Sequence, residues 1–225
     1  MRTSLRFGLT LIVIALASGC ATDDTFRTGR GTQDPYKRAI LDAAVIEENE
    51  IVTLPTLSGE RATVVTWTAF PDSYPVRKEV ALKWGDVWVS LDQAVKERCA
   101  AYDEETLISD VQQLLGLPVE DTERNFVTMV VLKSSVFRPC ANPDVTVERC
   151  NATMPDDVSS AHKAWFAVHA TTSYQFPKGF PWTRLGYTYN WKHGESEVGP
   201  AEFVVRKGAT VQVVSVRTTE EYCLN

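Results

Sequence analysis

The clearest pattern of apolar and polar positions predicts a helix near the middle of the chain. Five apolar residues recur there at the three- and four-residue spacing of one helical face: Leu107, Ile108, Val111, Leu114 and Leu115. Asp103 stands before them as an N-cap, and Gly116 followed by Pro118 ends the pattern. We therefore expect a helix between these signals, with its apolar stripe against the core.

Three other segments predict shorter helices. Asp34 and Pro35 form an N-cap and first-turn pair at the start of one of them. The tetrapeptide Ser90-Leu91-Asp92-Gln93 matches a capping box, which predicts a helix with Ser90 as its N-cap and Cys99 on its inner face. Further along, a spacing of three, four and three predicts a helix whose apolar face consists of Val158, Ala161, Trp165 and Val168.

Runs of β-branched and aromatic residues predict strands over residues 51–57, 61–70, 87–89, 126–132, 202–206 and 209–216. The first two runs flank Ser58-Gly59-Glu60 and the last two flank Lys207-Gly208, so each pair is expected to form a hairpin. Pro55 confines the first run to a sheet edge. Because strands and helices are interleaved without a regular βαβ repeat, we expect one α+β domain over residues 36–225, with a mostly antiparallel sheet and three to four helices.

The beginning of the chain has the pattern of an export signal. Arg2 and Arg6 precede an apolar run that is too short to span a bilayer, which requires about 20 residues. The run ends in Ala17-Ser18-Gly19-Cys20, which resembles the bacterial lipobox, although Ala17 stands where that motif most often has Leu. An ordinary secretory signal with an incidental cysteine is the alternative.

The lipobox resemblance implies a lipoprotein. Residues 1–19 would be the signal peptide, Cys20 would carry the diacylglycerol and an N-acyl chain such as palmitate, and these chains would hold the protein on a membrane. Ala21, rather than Asp, follows the cysteine, which favours a location of the lipoprotein on the outer membrane, facing the periplasm. The polar segment 20–35 has no apolar periodicity and is predicted to be a flexible tether.

The charge of the chain excludes one class of partner. Its formal net charge is −6, and removal of Arg2 and Arg6 with the signal peptide would make the mature protein more acidic. An acidic chain without a basic run is not expected to bind nucleic acid.

The cysteines beyond Cys20 predict two disulfides in an oxidising compartment. Four cysteines allow three pairings. Cys140 and Cys150 bracket a turn-rich segment, which favours their pairing and leaves Cys99 with Cys223. The four residues do not form Cys-x-x-Cys motifs, so a structural metal site is the weaker interpretation.

One stretch is unusually aromatic. Residues 176–191 hold six of the 22 aromatic residues of the chain. If the stretch is a strand, alternate residues share a face, and an exposed row of rings with hydrogen-bonding groups would suit a glycan or a protein partner. The candidates for ligand binding are Trp182, Arg184, Tyr187, Tyr189 and Trp191. The alternative, which we favour, is that these rings fill the core.

Candidate catalytic groups are weak. Ser160 and Lys163 match the Ser-x-x-Lys spacing of penicillin-binding enzymes, but their Lys-Thr-Gly element is missing. The segment 193–197 holds His193, Ser196 and the pair Glu195 and Glu197, without the last glycine of a nucleophile elbow. His162 and His169 are seven residues apart, which is too far for paired metal ligands on one helix. No cofactor or metal is therefore expected, and enzymatic activity is left open.

A second resemblance covers most of residues 60–223. The segments 114–118, 137–140 and 182–189 are similar to a family of uncharacterised bacterial proteins. This resemblance implies no activity. The sequence therefore predicts an envelope lipoprotein that binds a partner without catalysis, such as another envelope protein or a cell-wall glycan. The alternatives are a small envelope hydrolase and a structural component of an envelope assembly.

Overall fold

An eight-stranded antiparallel sheet organises residues 34–225, the part of the chain that this computed structural model describes. Its strands are β1 (Arg61–Thr68), β2 (Glu79–Ala81), β3 (Val87–Leu91), β4 (Asn125–Leu132), β5 (Val136–Phe137), β6 (Tyr187–Tyr189), β7 (Val198–Val205) and β8 (Thr210–Arg217). The spatial order is β2-β8-β4-β1-β3-β7-β5, and β6 pairs with β7. The predicted signal peptide 1–19, Cys20 and most of the predicted tether 20–35 lie outside the described residues.

The sheet is strongly curved. Strands β7 and β8 are four positions apart in the sheet, which is about 19 Å in a flat sheet. The four residues that join them include a tight turn, in which Ala209 N donates to Arg206 O over 3.0 Å. So short a connection cannot cross a flat sheet of that width, and the strands must bend around one face. The predicted hairpin of 202–206 and 209–216 is therefore wrong, although both strands exist: β7 pairs with β3, β5 and β6, whereas β8 pairs with β2 and β4.

The concave face of the sheet carries the larger apolar cluster. Leu82 and Ala209, from the connections, pack into it together with inward residues of seven strands. Its members from the central strands are fully buried, namely Val64, Val127, Met129, Phe203 and Val213.

Helices cover the convex face. They are α1 (Pro35–Asp42), α2 (Asp92–Cys99), α3 (Leu107–Leu114), α4 (Ser160–Thr172) and α5 (Thr219–Cys223). Helices α2, α3 and α5 pack on β1 and β4 around a second apolar cluster that includes Val111 and Phe126. The predicted disulfide Cys99–Cys223 joins α2 to α5 inside this cluster, with its sulfurs 2.11 Å apart. The α+β class and the mostly antiparallel sheet are confirmed.

The second predicted disulfide is also present. Cys140 and Cys150 are bonded at 1.98 Å and close the loop between them. Arg138 is buried beside this loop and donates to the carbonyl oxygens of Pro55 (2.7 Å) and Val147 (3.3 Å). Burial lowers its pKa to about 10. Gly186 has φ +78°, and a Cβ there would lie 2.8 Å from the Arg138 side chain and 2.9 Å from Cys150 Sγ.

The predicted first hairpin is wrong. Residues 51–57 are extended but belong to no strand. They instead run along the disulfide loop, where Leu54 N donates to Glu148 O and Leu57 N donates to Val145 O. Pro55, between these two donors, has no N–H with which to continue a ladder. The second run of that hairpin is β1, which ends at Thr68.

Three helix predictions also need correction. Thr106, rather than Asp103, is the N-cap of α3. Leu91, rather than Ser90, is the N-cap of α2, because the helix begins at Asp92. Ser90 pairs with Val65 of β1 and Glu202 of β7. In α4 the predicted apolar face is wrong, since Ala161 and Val168 are exposed. Its inner face is formed by rings at helical spacing: His162, Trp165, Phe166 and His169.

Candidate functional site

A cavity of about 850 Å³ lies on the convex face of the sheet. Its floor is formed by β1, β3, β4 and β7, beside the cluster that contains the Cys99–Cys223 disulfide. Three segments that are distant in sequence form its walls: α1 with the residue before it, the turn 115–118 that follows α3, and the loop 176–182 that follows α4. The volume lies in the usual range for small-molecule sites, about 300–1,000 Å³.

Pairing between the strands fixes which side chains reach the floor. Thr128 of β4 pairs with Val65 of β1, Val65 pairs with Ser90 of β3, and Ser90 pairs with Glu202 of β7. Directly paired residues project from the same face of a sheet. A row of Thr128, Val65, Ser90 and Glu202 therefore crosses the convex face, and the last three of these residues line the cavity.

Glu202 is the ionisable side chain on the cavity floor. It retains some accessible surface, and because it lines the cavity we assign that surface to the cavity. Among the described residues its carboxyl group has no hydrogen-bond or ion-pair partner, and Ser90 beside it makes no side-chain hydrogen bond either. Burial raises the pKa of Glu202 to about 8, because the carboxylate loses hydration and no nearby charge replaces it.

Aromatic rings form one wall of the cavity. Trp88 is at their centre, with its ring centroid 6.0 Å from that of Phe180 and 6.3 Å from that of Trp182. Behind it are Trp165, at 5.8 Å, and His169, at 5.9 Å, both from α4. The buried face of α4 therefore supports the wall through ring packing, which explains why its inner positions are aromatic.

Charged side chains are confined to the rim. Asp34, Lys37 and Lys178 line the cavity but are exposed to solvent. Tyr36, from the same turn of α1, donates to the carbonyl oxygen of Gly116 over 3.3 Å, which ties α1 to the opposite wall. The site consequently has an uncharged aromatic interior, one acidic group on its floor and both signs of charge at its entrance.

Two of the five predicted ligand-binding residues are in the cavity wall. Trp182 and Tyr189 are buried, with 2% and 4% of their surface exposed, and both line the cavity. Their polar ends point away from it, since Trp182 Nε1 donates to Pro139 O and Tyr189 Oη donates to Asp42 Oδ2. These two residues therefore offer ring surface to a ligand.

The other three predicted residues lie elsewhere. Tyr187 is buried against the Cys140–Cys150 disulfide and donates to Glu50 O. Arg184 donates to Ala44 O, and Trp191 is half-buried and donates to Leu117 O. Tyr187, Tyr189 and Trp191 therefore do not form an exposed aromatic row. The rings fill the core, and a register shift in β6 separates Tyr187 from Tyr189 into different clusters.

The predicted catalytic groups are not assembled within residues 34–225. Lys163 Nζ donates to Asp156 O, and no hydrogen bond joins it to Ser160. Ser196 Oγ accepts a hydrogen bond from the backbone N–H of Val198, and no hydrogen bond joins Ser196 to His193. Glu195 is used structurally, since it accepts hydrogen bonds from Tyr102 and Asn190 and forms ion pairs with Arg98 and Lys192.

The histidines of α4 have structural partners. His162 is buried with its Nε2 2.8 Å from Cys140 O, and burial lowers its pKa. His169 Nδ1 is 2.8 Å from Trp165 O. The carboxylates of Asp42, Glu50 and Glu197 approach within 4.8 Å of one another near the surface, a grouping that sequence spacing does not reveal.

Sequence reasoning missed the two polar groups on the cavity floor. The strand prediction for residues 202–206 gives Glu202 no role, and the capping-box prediction places Ser90 at the start of a helix. The available signal was an acidic residue at the start of an apolar run that also contains Phe203, Val204 and Val205. An unpaired carboxyl in such a run is costly to bury and marks a candidate site.

Comparison of the chain with protein-family models, curated proteins and solved structures finds no match. Within residues 34–225 no helix has the length and apolar character needed to cross a bilayer.

Proposed function

We propose that this protein is a lipid-anchored binding protein of the bacterial cell envelope, which holds a small, largely apolar molecule in the cavity over its sheet. The observation that carries the proposal is the cavity itself. Its interior is formed by aromatic and aliphatic side chains around a single carboxyl group. Preformed, mostly apolar pockets with few polar groups are typical of small-molecule sites.

Binding without catalysis is the simpler role for this site. The polar side chains of its interior are Ser90, Thr188 and Glu202. Thr188 already donates to Leu114 O. A serine and a protonated carboxyl do not constitute an activated nucleophile, because no base orients the hydroxyl group and no third group orients the base. These groups can orient a ligand by hydrogen bonding.

The location follows from the lipobox resemblance. Acyl chains on Cys20 would hold the domain at a membrane, and residues 20–35 would span at most about 50 Å when extended. The two disulfides are in keeping with an oxidising compartment. A cell-wall glycan is disfavoured as the ligand of the aromatic stretch, because Trp182, Tyr187 and Tyr189 are buried.

The binding role is tested with N-phenyl-1-naphthylamine, a probe that is uncharged near neutral pH and fluoresces in apolar sites. We expect saturable fluorescence with the full mature chain. Leu117→Trp, in the cavity wall, fills part of the space and should weaken binding about tenfold. Leu132→Trp is the matched control, because it is a partly exposed residue at the end of β4 that does not line the cavity. Equal binding by both variants, or none by the unmodified chain, would contradict the proposal.

The anchor is tested separately by mass spectrometry of the protein isolated from bacterial membranes. We expect an amino terminus at Cys20 that carries three acyl chains. Cys20→Ser should abolish this modification and release the protein from the membrane fraction. An unacylated terminus in the unmodified protein would remove the membrane part of the proposal and leave the binding part intact.

A further inference from the structure

The floor of the cavity holds a group that the ligand must satisfy. Glu202 has no partner among the described residues, and its neighbour across the strands, Ser90, makes no side-chain hydrogen bond. Glu202 retains some accessible surface in the cavity, so a bound ligand that covers its carboxyl group without pairing with it would impose a desolvation penalty. A ligand that brings a complementary group to this point would remove the penalty, whereas a wholly apolar ligand would not.

The aromatic lining of the cavity favours a positive charge. Trp88, Phe180, Trp182 and Tyr189 all line the cavity. The faces of such rings attract cations, by about 0.5–2 kcal/mol per contact, and the attraction is largest where water is excluded. The Tyr189 hydroxyl is committed to Asp42, so that residue contributes its ring surface alone.

The other titratable groups around the cavity do not compete for this position. Asp34, Tyr36 and Lys37 face it from α1 and the preceding residue, Lys178 from the loop 176–182, and Tyr189 from β6. Asp34, Lys37 and Lys178 are exposed at the rim. Burial raises the pKa of both tyrosines, so they stay neutral. The remaining strands and the turn 115–118 contribute no ionisable side chain other than Glu202.

We propose that the cavity selects a hydrophobic ammonium ligand, an arylalkylamine with one or two rings, and that Glu202 is its counter-ion. This inference rests on the proposed binding function and adds the class of ligand. The ammonium group donates hydrogen bonds to the carboxylate of Glu202 and to Ser90 Oγ, while the rings of the ligand pack against the aromatic wall. The acidic character of the chain as a whole favours the approach of cations over anions.

Binding is coupled to proton release. At pH 7 the carboxyl group of Glu202 is mostly protonated in the free protein, since its pKa is raised to about 8. An ammonium ion next to it favours the carboxylate and lowers that pKa. Close to one proton should therefore leave per ligand bound at pH 7, and affinity should rise as the pH is raised from 6 to 8.

The test uses three compounds with the same ring system: 2-(1-naphthyl)ethylamine, 2-(1-naphthyl)ethanol and 1-naphthylacetate. Titration calorimetry of the full mature chain at pH 7, in buffers of different ionisation enthalpy, gives affinity and proton release together. We expect the amine to bind about tenfold or more tightly than the alcohol, as charged hydrogen bonds imply. The acetate should bind more weakly than the alcohol.

The variant Glu202→Gln keeps the size of the side chain and removes its charge. It should eliminate both the advantage of the amine and the proton release, while the alcohol binds within about twofold of its original affinity. Glu79→Gln is the matched control, because it removes an exposed carboxyl group from β2, away from the cavity. It should behave like the unmodified protein.

The outcomes separate the two proposals. If the alcohol and N-phenyl-1-naphthylamine bind but the amine has no advantage, or if Glu202→Gln keeps that advantage, the ligand class is wrong and the binding function stands. Tighter binding of the acetate would equally contradict the ammonium proposal and would indicate recognition by the rim lysines. If none of the probes binds, the proposed binding function fails as well.

Discussion

The two ends of the convex face are built from similar strands but treat polar residues differently. Around the Cys99–Cys223 disulfide two polar side chains have internal hydrogen-bond partners. Thr128 Oγ1 donates to Asp92 Oδ1 over 2.9 Å, and Trp67 Nε1 donates to Thr219 Oγ1 over 3.1 Å. Two and three strands further along the same row, Ser90 and Glu202 have no side-chain hydrogen-bond partner among the described residues. We call the part around the Cys99–Cys223 disulfide the closed end and the part around Ser90 and Glu202 the open end. Polar groups at the closed end stabilise the fold through internal hydrogen bonds, whereas those at the open end remain available to a ligand.

Rings pack together at both ends. At the closed end Phe126 and Tyr222 are stacked with centroids 4.0 Å apart, and the disulfide lies in the same cluster. At the open end the ring centroid of Trp88 lies 6.0 Å from that of Phe180 and 6.3 Å from that of Trp182, and all three rings line the cavity. Substitutions at the two ends should therefore have separable effects on stability and on binding, and four expected outcomes test this.

Loss of the disulfide at the closed end should have the largest effect. Replacement of both Cys99 and Cys223 by Ser removes a cross-link between residues 124 positions apart, which on the chain-entropy model costs about 5 kcal/mol of unfolding free energy. Urea denaturation measures this loss. The matched Cys140/Cys150 pair closes a ten-residue separation and should cost about 3 kcal/mol. A larger loss from the shorter loop would contradict this ranking.

Truncation of a leucine should cost more at the closed end than at the cavity. Leu107 is fully buried in the cluster around the disulfide, so Leu107→Ala should lower the unfolding free energy by about 3 kcal/mol. Leu117 is half-buried and lines the cavity. Leu117→Ala should cost about 1 kcal/mol, because it removes less buried apolar surface than Leu107→Ala and creates no new enclosed void. If denaturant titrations gave equal losses of unfolding free energy for the two variants, side chains would have to fill the cavity in solution.

Glu202 should make stability depend on pH. Its pKa is raised to about 8 in the folded protein, so the folded state holds a proton that the unfolded state has released above its ordinary pKa, near 4.3. The stabilising contribution is complete below that value and is lost as the pH rises towards 8. Between pH 5 and pH 7 we expect the unfolding free energy of the unmodified protein to fall by about 2 kcal/mol relative to Glu202→Gln. Parallel pH profiles for the two proteins would contradict the burial of this group.

Removal of single hydroxyl groups should have the smallest effect. Thr128→Val at the closed end breaks the hydrogen bond to Asp92 and should cost about 1 kcal/mol. Ser90→Ala at the open end breaks no hydrogen bond and should change the unfolding free energy by less than about 0.5 kcal/mol. Thermal unfolding resolves such a difference in this size of domain. If Ser90→Ala proved the more costly, its hydroxyl group would have an internal partner after all.

Much of the secondary structure follows from local pattern. The run 126–132 is strand β4, and the stripe that includes Leu107, Val111 and Leu114 is the inner face of α3. Local patterns failed where the partner of a segment decides its state. The last two strands are joined by a short turn but pair with other strands, because β4, β1 and β3 lie between them in the sheet and the curvature of the whole sheet brings their ends together. That curvature is a property of many strands together and has no signal within the turn.

The cavity was beyond the reach of sequence patterns for a related reason. Its walls come from α1, from the turn 115–118 and from the loop 176–182, which meet only after the sheet has formed. The prediction that Trp182 and Tyr189 bind a ligand identified two residues of the wall, but on the basis of an exposed row that the fold does not contain. Glu202 and Ser90 meet through strand register, and register is set by pairings across the sheet rather than by neighbours in sequence.

The most direct test of the account is a crystal structure of the full mature chain soaked with 2-(1-naphthyl)ethylamine. The account predicts one ligand in the cavity, with its nitrogen within about 3 Å of a carboxylate oxygen of Glu202 and its rings against Trp88 and Trp182. An empty cavity closed by the loop 176–182, or a ligand held at the rim by Asp34 with Glu202 uncontacted, would contradict it.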